Sequence, residues 1–216
     1  MATKRAARIP PRLHPELPGW DGELCDEVEI VDAVLTGDLA AHVLAHVDVT
    51  GSRIEAAQLT GTRLRSSQLT DVTVTGCDLS GVVFEDCALT RLEFRDCRLS
   101  GAQAAGGRFR DVAFFDCRLN DANFRMTTWE RAEFDGCDLT DADFYAAALP
   151  ASRFTGCDLT GVQLSKSTLA GTSFQRSVLE RLAGADALRD VIISTDEILA
   201  VALSVFGALG VTVDDT

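Results

Sequence analysis

The sequence is poor in several features on which common functions depend. It has 3 histidines among 216 residues, no run of eighteen apolar residues, and 20 lysines and arginines against 33 aspartates and glutamates. The missing apolar run excludes a membrane-spanning helix. The formal net charge of −13 excludes a conventional DNA-binding protein, which needs a basic surface. The basic first residues lack the apolar stretch of a secretory signal, so we expect a cytoplasmic protein.

Motifs for catalysis and for cofactor binding are absent as well. The sequence has no glycine-rich phosphate loop, no pair of metal-binding histidines and no nucleophile elbow. Six of the seven cysteines occupy one position of a repeat, where a small apolar core residue fits. These six are Cys77, Cys87, Cys97, Cys117, Cys137 and Cys157. We therefore expect no enzyme, no metal and no cofactor, and the sequence assigns no role to Cys25.

An apolar residue recurs at every fifth position from Leu39 to Leu179, and 28 of these 29 positions hold Leu, Phe, Val, Ile or Trp. The exception is Ala104. A period of five fits neither a helix nor a flat strand, so each unit must turn a corner with its central residue pointing inward. Every fourth unit gives homogeneous columns, one of them all leucine. Stacked four-sided coils, about 4.8 Å apart, would produce such columns.

Individual units carry a family resemblance. The segments Cys77–Gly81, Cys137–Asp141 and Cys157–Gly161 resemble the A(D/N)LXX motif of the pentapeptide-repeat family. The resemblance implies an all-β solenoid, a right-handed quadrilateral β-helix in which the central residue and the small residue two before it face inward. We expect about seven coils over residues 26–182, followed by a short C-terminal α-helix.

The segments before the repeats are irregular. Residues 1–25 contain four prolines and most of their charge is basic, which predicts a flexible arm or a strap along the first coils. This arm is short and precedes an acidic chain, so we do not expect direct nucleic-acid binding. Residues 26–36 are rich in apolar residues but out of phase with the repeats, and we expect them to lead into the first coil or to cap it.

Residues 183–216 differ from the repeats and predict a capping and dimerisation module. Val191–Ile193 is typical of a short strand, Ser194 suits a helix N-cap, and a helix is expected from Thr195 to Ala208. A second short strand is expected at Val211–Val213.

The C-terminal helix is apolar on nearly every side, more than one rod end can cover. A symmetric end-to-end homodimer would bury the remainder, and the resemblance to quinolone-resistance pentapeptide proteins, which dimerise through such a module, implies the same arrangement. A monomeric cap is the alternative. The expected dimer interface comprises Ile198, Val201, Ala202, Val205 and Phe206.

Acidic residues are densest in the later coils. The candidate partner-binding residues are Glu130, Glu133, Asp135, Asp138, Asp141, Asp143 and Asp158. A long, narrow, acidic rod presents a diluted version of the field around DNA. The resemblance to the MfpA and Qnr type, closer to the loop-free MfpA pattern, implies a DNA mimic that binds DNA gyrase or another topoisomerase. The alternative is a protein–protein interaction scaffold unrelated to DNA enzymes.

Overall fold

Parallel strands stacked twenty residues apart build one β-solenoid. The computed structural model describes residues 7–40 and 43–211. Phe114 is the register partner of Phe94 on one side and of Phe134 on the other, and isolated bridges such as Asp138 to Asp158 repeat the same offset. The predicted four-sided β-solenoid with a short C-terminal helix is confirmed, and it makes about eight turns where about seven were expected.

Most strands are short, because each face of the rod holds only one five-residue unit, but three strands of eight residues continue across a corner onto the next face. The strands are β1 (Glu29–Val31), β2 (Val34–Leu35), β3 (Val43–Ala45), β4 (Asp48–Thr50), β5 (Arg53–Glu55), β6 (Arg63–Arg65), β7 (Gln68–Thr75), β8 (Val83–Glu85), β9 (Ala88–Arg95), β10 (Arg108–Phe115), β11 (Thr128–Glu130), β12 (Glu133–Asp135), β13 (Arg153–Thr155), β14 (Ser173–Gln175) and β15 (Ile192–Ile193). The 3-10 helices are Ala185–Ala187 and Thr195–Glu197, and the α-helix α1 is Ile198–Ala208.

A left-handed residue makes every corner. Each fifth residue from Gly51 to Arg181 has a positive φ, between 47° and 74°. Glycine adopts this conformation freely, and aspartate tolerates it better than most residues, which explains why these two types dominate the corners. Corner amides donate to the next turn, as Gly81 N does to the Ser100 carbonyl at 2.9 Å. The backbone groups exposed by each bend are therefore satisfied.

The four faces are numbered along the chain by their inward central residues. The first face is centred on the leucines at 59, 79, 99 and so on, and the second on Leu64, Phe84 and their successors. The third is centred on Leu69, Leu89 and their successors, and the fourth on the phenylalanines from 94 to 174. Residues directly before and after each centre point outward, which follows from the strand alternation.

Aromatic rings fill one side of the interior. The rings of Phe94, Phe114, Phe134, Phe154 and Phe174 are stacked in sequence, with centroid distances of 4.8, 5.1, 4.6 and 5.1 Å. Each is at most 2% exposed. Stacking adds about 0.5–1.5 kcal/mol per pair to the burial of the rings. The repeat thus stabilises itself through identical neighbours one coil apart.

Residues 26–36 form a coil of their own. Ile30 is the register partner of Val49, and Leu35 is the partner of Ile54, an offset of nineteen instead of twenty. The corner after Leu35 is one residue shorter and contains Gly37 with φ of 95°. This explains why the segment is out of phase in sequence. It supplies the additional turn and does not merely lead into the first coil.

The C-terminal segment closes the other end. β15 pairs with β14, and the capping box between Ser194 and Glu197 is present. Glu197 is buried and its carboxylate also accepts a hydrogen bond from Ser177 N at 3.1 Å, which ties the helix to the rod. Gly210, with φ of 73°, ends α1, and Val211 N donates to the Phe206 carbonyl, as in a Schellman motif. The helix expected from Thr195 to Ala208 is present, with a 3-10 first turn, Thr195–Glu197, before the α-helix Ile198–Ala208. Of the second strand expected at Val211–Val213, Thr212 and Val213 lie outside the described residues, and Val211 is not in a strand.

Candidate partner-binding surface

The predicted acidic residues encircle the rod and do not share one face. Glu130 lies on the third face, and Glu133 and Asp135 lie on the fourth. Asp138 and Asp158 are stacked on the first face, and Asp143 lies on the second. Asp141 occupies the corner between the first and second faces. The structure therefore brings together only a subset of them.

Three of the predicted acids are neutralised by arginines. Glu130 pairs with Arg110 at 2.7 Å and also with Arg131, and the hydrogen bond from Arg110 is the main reason that the Glu130 pKa is lowered. Asp143 pairs with Arg125 at 2.8 Å. Glu133 lies between two arginines and pairs with both. These acids give little net field, because each cation lies beside its anion.

The other four predicted acids gather on one side of the rod, around the first face, together with Asp116 and Asp121. We call this set the acidic side; it comprises Asp116, Asp121, Asp135, Asp138, Asp141 and Asp158. None of the six has an ion-pair partner within the described part of the chain. The one cation among them is Arg118. On the other faces of the same coils, three acids balance three arginines. The negative field of the later coils therefore comes from the acidic side.

Two members of the acidic side are held in place by local hydrogen bonds. Asp138 Oδ1 accepts from Thr140 N at 3.0 Å and from Thr140 Oγ1 at 2.7 Å. Asp158 Oδ1 accepts from Thr160 N at 2.9 Å. Such Asx turns fix a carboxylate while leaving its second oxygen available. The two side chains thus form a short, ordered row of charge along the rod.

The N-terminal segment is docked along the corner that lies diagonally across the rod from Asp121 and Asp141. We call residues 8–20 the strap, and we call the corner between the third and fourth faces the strap corner. Gly19 bridges to Val34 at the first turn. Farther along the rod, Arg12 N donates to Asp71 and Ile9 N donates to Asp111, each at 2.9 Å. Of the two alternatives that the sequence left open, the described part of the arm is a strap.

An arginine ends the strap in a cradle of carboxylates. The Arg8 guanidinium pairs with Glu93 at 2.7 Å and with Glu133 at 3.1 Å, and 12% of its side chain is exposed. It lies over the Phe115 ring, 5.9 Å from the centroid. A desolvated guanidinium held by two carboxylates is among the stronger polar contacts in proteins. This site was not predicted from the sequence, although Asp71, Arg91, Asp111 and Arg131 alternate in charge along one corner column and could have indicated it.

The carboxylates that hold the strap make its docking sensitive to acid. The hydrogen bond from Arg91 lowers the Asp71 pKa; burial raises the Asp111 pKa, but hydrogen bonds from Arg131 and Ile9 N outweigh it, and the net shift is downward. Because both folded pKa values lie below the unfolded value near 3.9, their contribution is present above that pH and is lost as pH falls further. Asp71→Asn with Asp111→Asn should cost about 2 kcal/mol of unfolding free energy at pH 7 and less at pH 3, because the contribution fades as pH falls toward the lowered folded pKa values; urea unfolding measures both.

Measuring the parent and the double variant at both pH values controls for general acid denaturation, because the other carboxylates are protonated to the same extent in both proteins. An equal loss at both pH values would contradict the assignment of stability to these two charged groups. Asp78→Asn provides a control away from the strap, since the pKa of this half-buried aspartate is also lowered, mainly by the Ser80 hydroxyl, but Asp78 does not touch the strap.

The C-terminal helix uses part of its apolar surface on its own rod. Val201 and Val205 pack against the core, whereas Ile198 and Phe206 are exposed and Ala202 is half-buried. Two of the five predicted interface residues therefore face the rod. The exposed surface also includes Leu199, Leu203 and Leu209, which are at least 50% exposed, and the sequence interpretation missed these three. A groove of about 620 Å³ separates α1 from the last turn.

The six repeat cysteines are buried in the core as free thiols, whereas Cys25 is exposed. Burial raises the pKa of Cys87, so this thiol is unreactive. Among the described residues, no group of three or more potential ligands is arranged to hold a metal ion. No helix in this part of the chain is long and apolar enough to cross a membrane.

The fold defines a class: a β-solenoid with a self-stacked apolar core and a charged outer surface. The family model "Pentapeptide repeat region" matches residues 47–124 and 127–188. The chain belongs to the pentapeptide repeat family. It is thus a repeat scaffold, and members of this family are structural, non-catalytic scaffolds.

Solved structures of similar proteins include two other pentapeptide repeat proteins. HetL, involved in heterocyst differentiation regulation in the cyanobacterium Nostoc sp. strain PCC 7120, is 19% identical with a TM-score of 0.36, over 77% of this chain and 87% of HetL. Full-length QnrB1, a plasmid-mediated fluoroquinolone resistance protein, is 13% identical with a TM-score of 0.39, over 85% of this chain and 100% of QnrB1. Similarity at this level carries no functional information. No curated protein matches the chain.

Proposed function

We propose that this protein is a non-catalytic acidic rod whose acidic side binds a cationic surface of a partner protein. The observation that supports the proposal is the asymmetry of charge. Six unpaired acids and one arginine lie on the acidic side, while the other faces of the same coils are balanced. A one-sided field steers a partner and orients it, which a balanced surface does not do.

The charge density of the acidic side resembles that of DNA. These residues span Asp116 to Asp158, just over two turns of the rod. At about 4.8 Å per turn, a net five charges give roughly one charge per 2 Å. B-DNA carries one per about 1.7 Å. The acidic side therefore suits a protein saddle that binds duplex DNA.

DNA gyrase is the partner that we propose, or otherwise another topoisomerase. This choice follows from the resemblance to the MfpA and Qnr type, and the shape and charge of the rod are compatible with it. It implies a protein that acts in the cytoplasm, where gyrase acts. Binding of this kind needs no cofactor and no catalytic group, because it depends on charge complementarity alone.

Inhibition of gyrase supercoiling by the purified protein tests the proposal. We expect inhibition at low micromolar concentration that weakens as the salt concentration rises through about 0.15 M, because exposed charges are screened there. A folded protein that leaves gyrase unaffected at tens of micromolar would contradict the proposal. That result would favour the alternative of an interaction scaffold for a partner unrelated to DNA enzymes.

We also propose that two rods join through the open face of α1. Ile198, Leu199, Leu203, Phe206 and Leu209 expose apolar side chains there, and a second copy would bury them in a symmetric interface. The proposed interface thus keeps Ile198, Ala202 and Phe206 of the sequence prediction but excludes Val201 and Val205, which face the rod.

Leu199→Glu with Phe206→Glu should convert the dimer into a monomer of 23.2 kDa, because two charges cannot be buried unpaired in an apolar interface. Light scattering after size exclusion measures the mass. Val31→Glu with Val43→Glu, at positions 50% and 63% exposed near the other end, is the matched control and should stay dimeric. A monomeric parent protein would contradict the proposed interface.

A further inference from the structure

The strap and its corner match each other at the level of single residues. The strap corner presents Asp71, Arg91 and Asp111 on successive turns. The two aspartates lie two turns apart, or about 9.6 Å. Three residues of extended proline-rich chain span about 9.3 Å, and Ile9 and Arg12, whose amides reach these aspartates, are three residues apart.

Two prolines separate the two amide donors of the strap, and one arginine separates the two aspartates of the strap corner. Pro10 and Pro11 have no N–H group, and they lie between the donors as Arg91 lies between the aspartates. Arg91 itself is engaged by Asp71, with two contacts of 2.6 Å. Polyproline II chain has three residues per turn, so the Ile9 and Arg12 amides face the same side, and the two prolines leave no unused N–H between them.

The rod contacts residues 8–12 mainly through their backbone amides and one charged side chain. Ile9 is 41% exposed, and Pro10 and Arg12 are exposed as well. Among residues 8–12, the Arg8 side chain is the one that forms ion pairs, with Glu93 and Glu133. The contacts are therefore available to any extended segment with an arginine, two central prolines and amides at the same spacing.

We propose that the strap corner is a binding groove for an extended, proline-containing segment bearing an arginine, and that residues 8–12 occupy it in competition with such a segment of a partner protein. The groove lies diagonally across the rod from the corner that carries Asp121 and Asp141. It is thus separate from the acidic side, and a partner there would leave the acidic side free.

The test uses a fluorescent peptide with the sequence of residues 7–13 and the full-length protein in two forms. In the loosened variant, Arg8→Ala removes the guanidinium, and Ile9→Pro with Arg12→Pro removes both amide donors. We expect micromolar binding to the loosened variant and at least about tenfold weaker binding to the parent protein, because a tethered strap competes at a millimolar effective concentration.

Two controls define specificity. A peptide with proline at the positions of Ile9 and Arg12 lacks the donors and should not bind. Adding Asp71→Asn and Asp111→Asn to the loosened variant should weaken binding of the native peptide at least about tenfold. Equal binding of both peptides, or failure of the native peptide to bind the folded variant, would overturn the proposal.

Hydrogen exchange of the parent protein gives a second measurement that does not depend on the variant. An excess of the native peptide should accelerate exchange at the Ile9 and Arg12 amides, while the core strands stay unchanged. Unchanged exchange at saturating peptide would count against a displaceable strap. Gyrase inhibition by the loosened variant should equal that of the parent, so failure of this proposal and failure of the gyrase proposal are distinguishable.

Discussion

Lysine substitution of Asp121, Asp135 and Asp141 is expected to raise the concentration for half-inhibition of gyrase supercoiling at least about 100-fold. Three like charges would then face a cationic partner, and such juxtapositions cost several kcal/mol, where 1.4 kcal/mol is a factor of ten. The rod should remain folded, since cations occupy equivalent positions elsewhere. Arg131 and Lys166 lie at left-handed corners, and Arg95 lies in the column of Asp135.

A matched triple variant separates position from net charge. Asp32 and Asp86 are left-handed corner aspartates in earlier turns, and Glu55 lies in the same column as Asp135. Their replacement by lysine changes the net charge by the same amount, yet we expect less than about a fivefold effect because these residues lie outside the acidic side. Equal losses in both variants would mean that total charge, and not the acidic side, determines inhibition.

Phe134→Ala should lower the free energy of unfolding by about 3–5 kcal/mol, the usual cost of emptying a phenylalanine site in a core. Phe134 is 0% exposed, and its ring stacks between those of Phe114 and Phe154. A solenoid cannot easily collapse around the void, because neighbouring coils are fixed in register by their backbone hydrogen bonds. Denaturant unfolding followed by circular dichroism measures the loss.

Phe115→Ala is the matched control. It removes the same type of side chain from an outward-facing position, next to the inward-facing Phe114. The Phe115 ring is half-buried and lies 4.1 Å from the Arg95 guanidinium, so we expect a loss of about 1 kcal/mol. Similar losses in the two variants would contradict the view that the stacked phenylalanines dominate the stability of the later coils.

Periodicity made the interior predictable. The central residues from Leu39 to Leu179 face inward because every unit turns the same corner, and the sequence contains that information in full. The outward residues follow the same period, so the face of each acid was also predictable. Ion pairing was not, because whether Glu130 meets Arg110 depends on side-chain conformations that no period specifies.

The two ends resisted prediction for a different reason. The strap has no repeat, and its position depends on contacts with Asp71 and Asp111, which are remote in sequence. The C-terminal helix has apolar residues all round, so its pattern could not show that Val201 and Val205 face the rod. Amphipathic patterns orient a helix only when one side is polar.

The left-handed corner at every fifth residue also governs how this chain can change length. Removing five residues from the middle coils would keep each central residue apolar and each corner intact, since the unit itself is preserved. Every later residue would, however, move back by one face, so that the acids of the acidic side and the C-terminal helix would turn by a quarter of a revolution relative to the strap. Only the gain or loss of twenty residues, or of a multiple of twenty, preserves the alignment of the two ends. Gain or loss of five-residue units can therefore rotate the outer surfaces of such a rod in quarter turns while the apolar pattern of its core is kept.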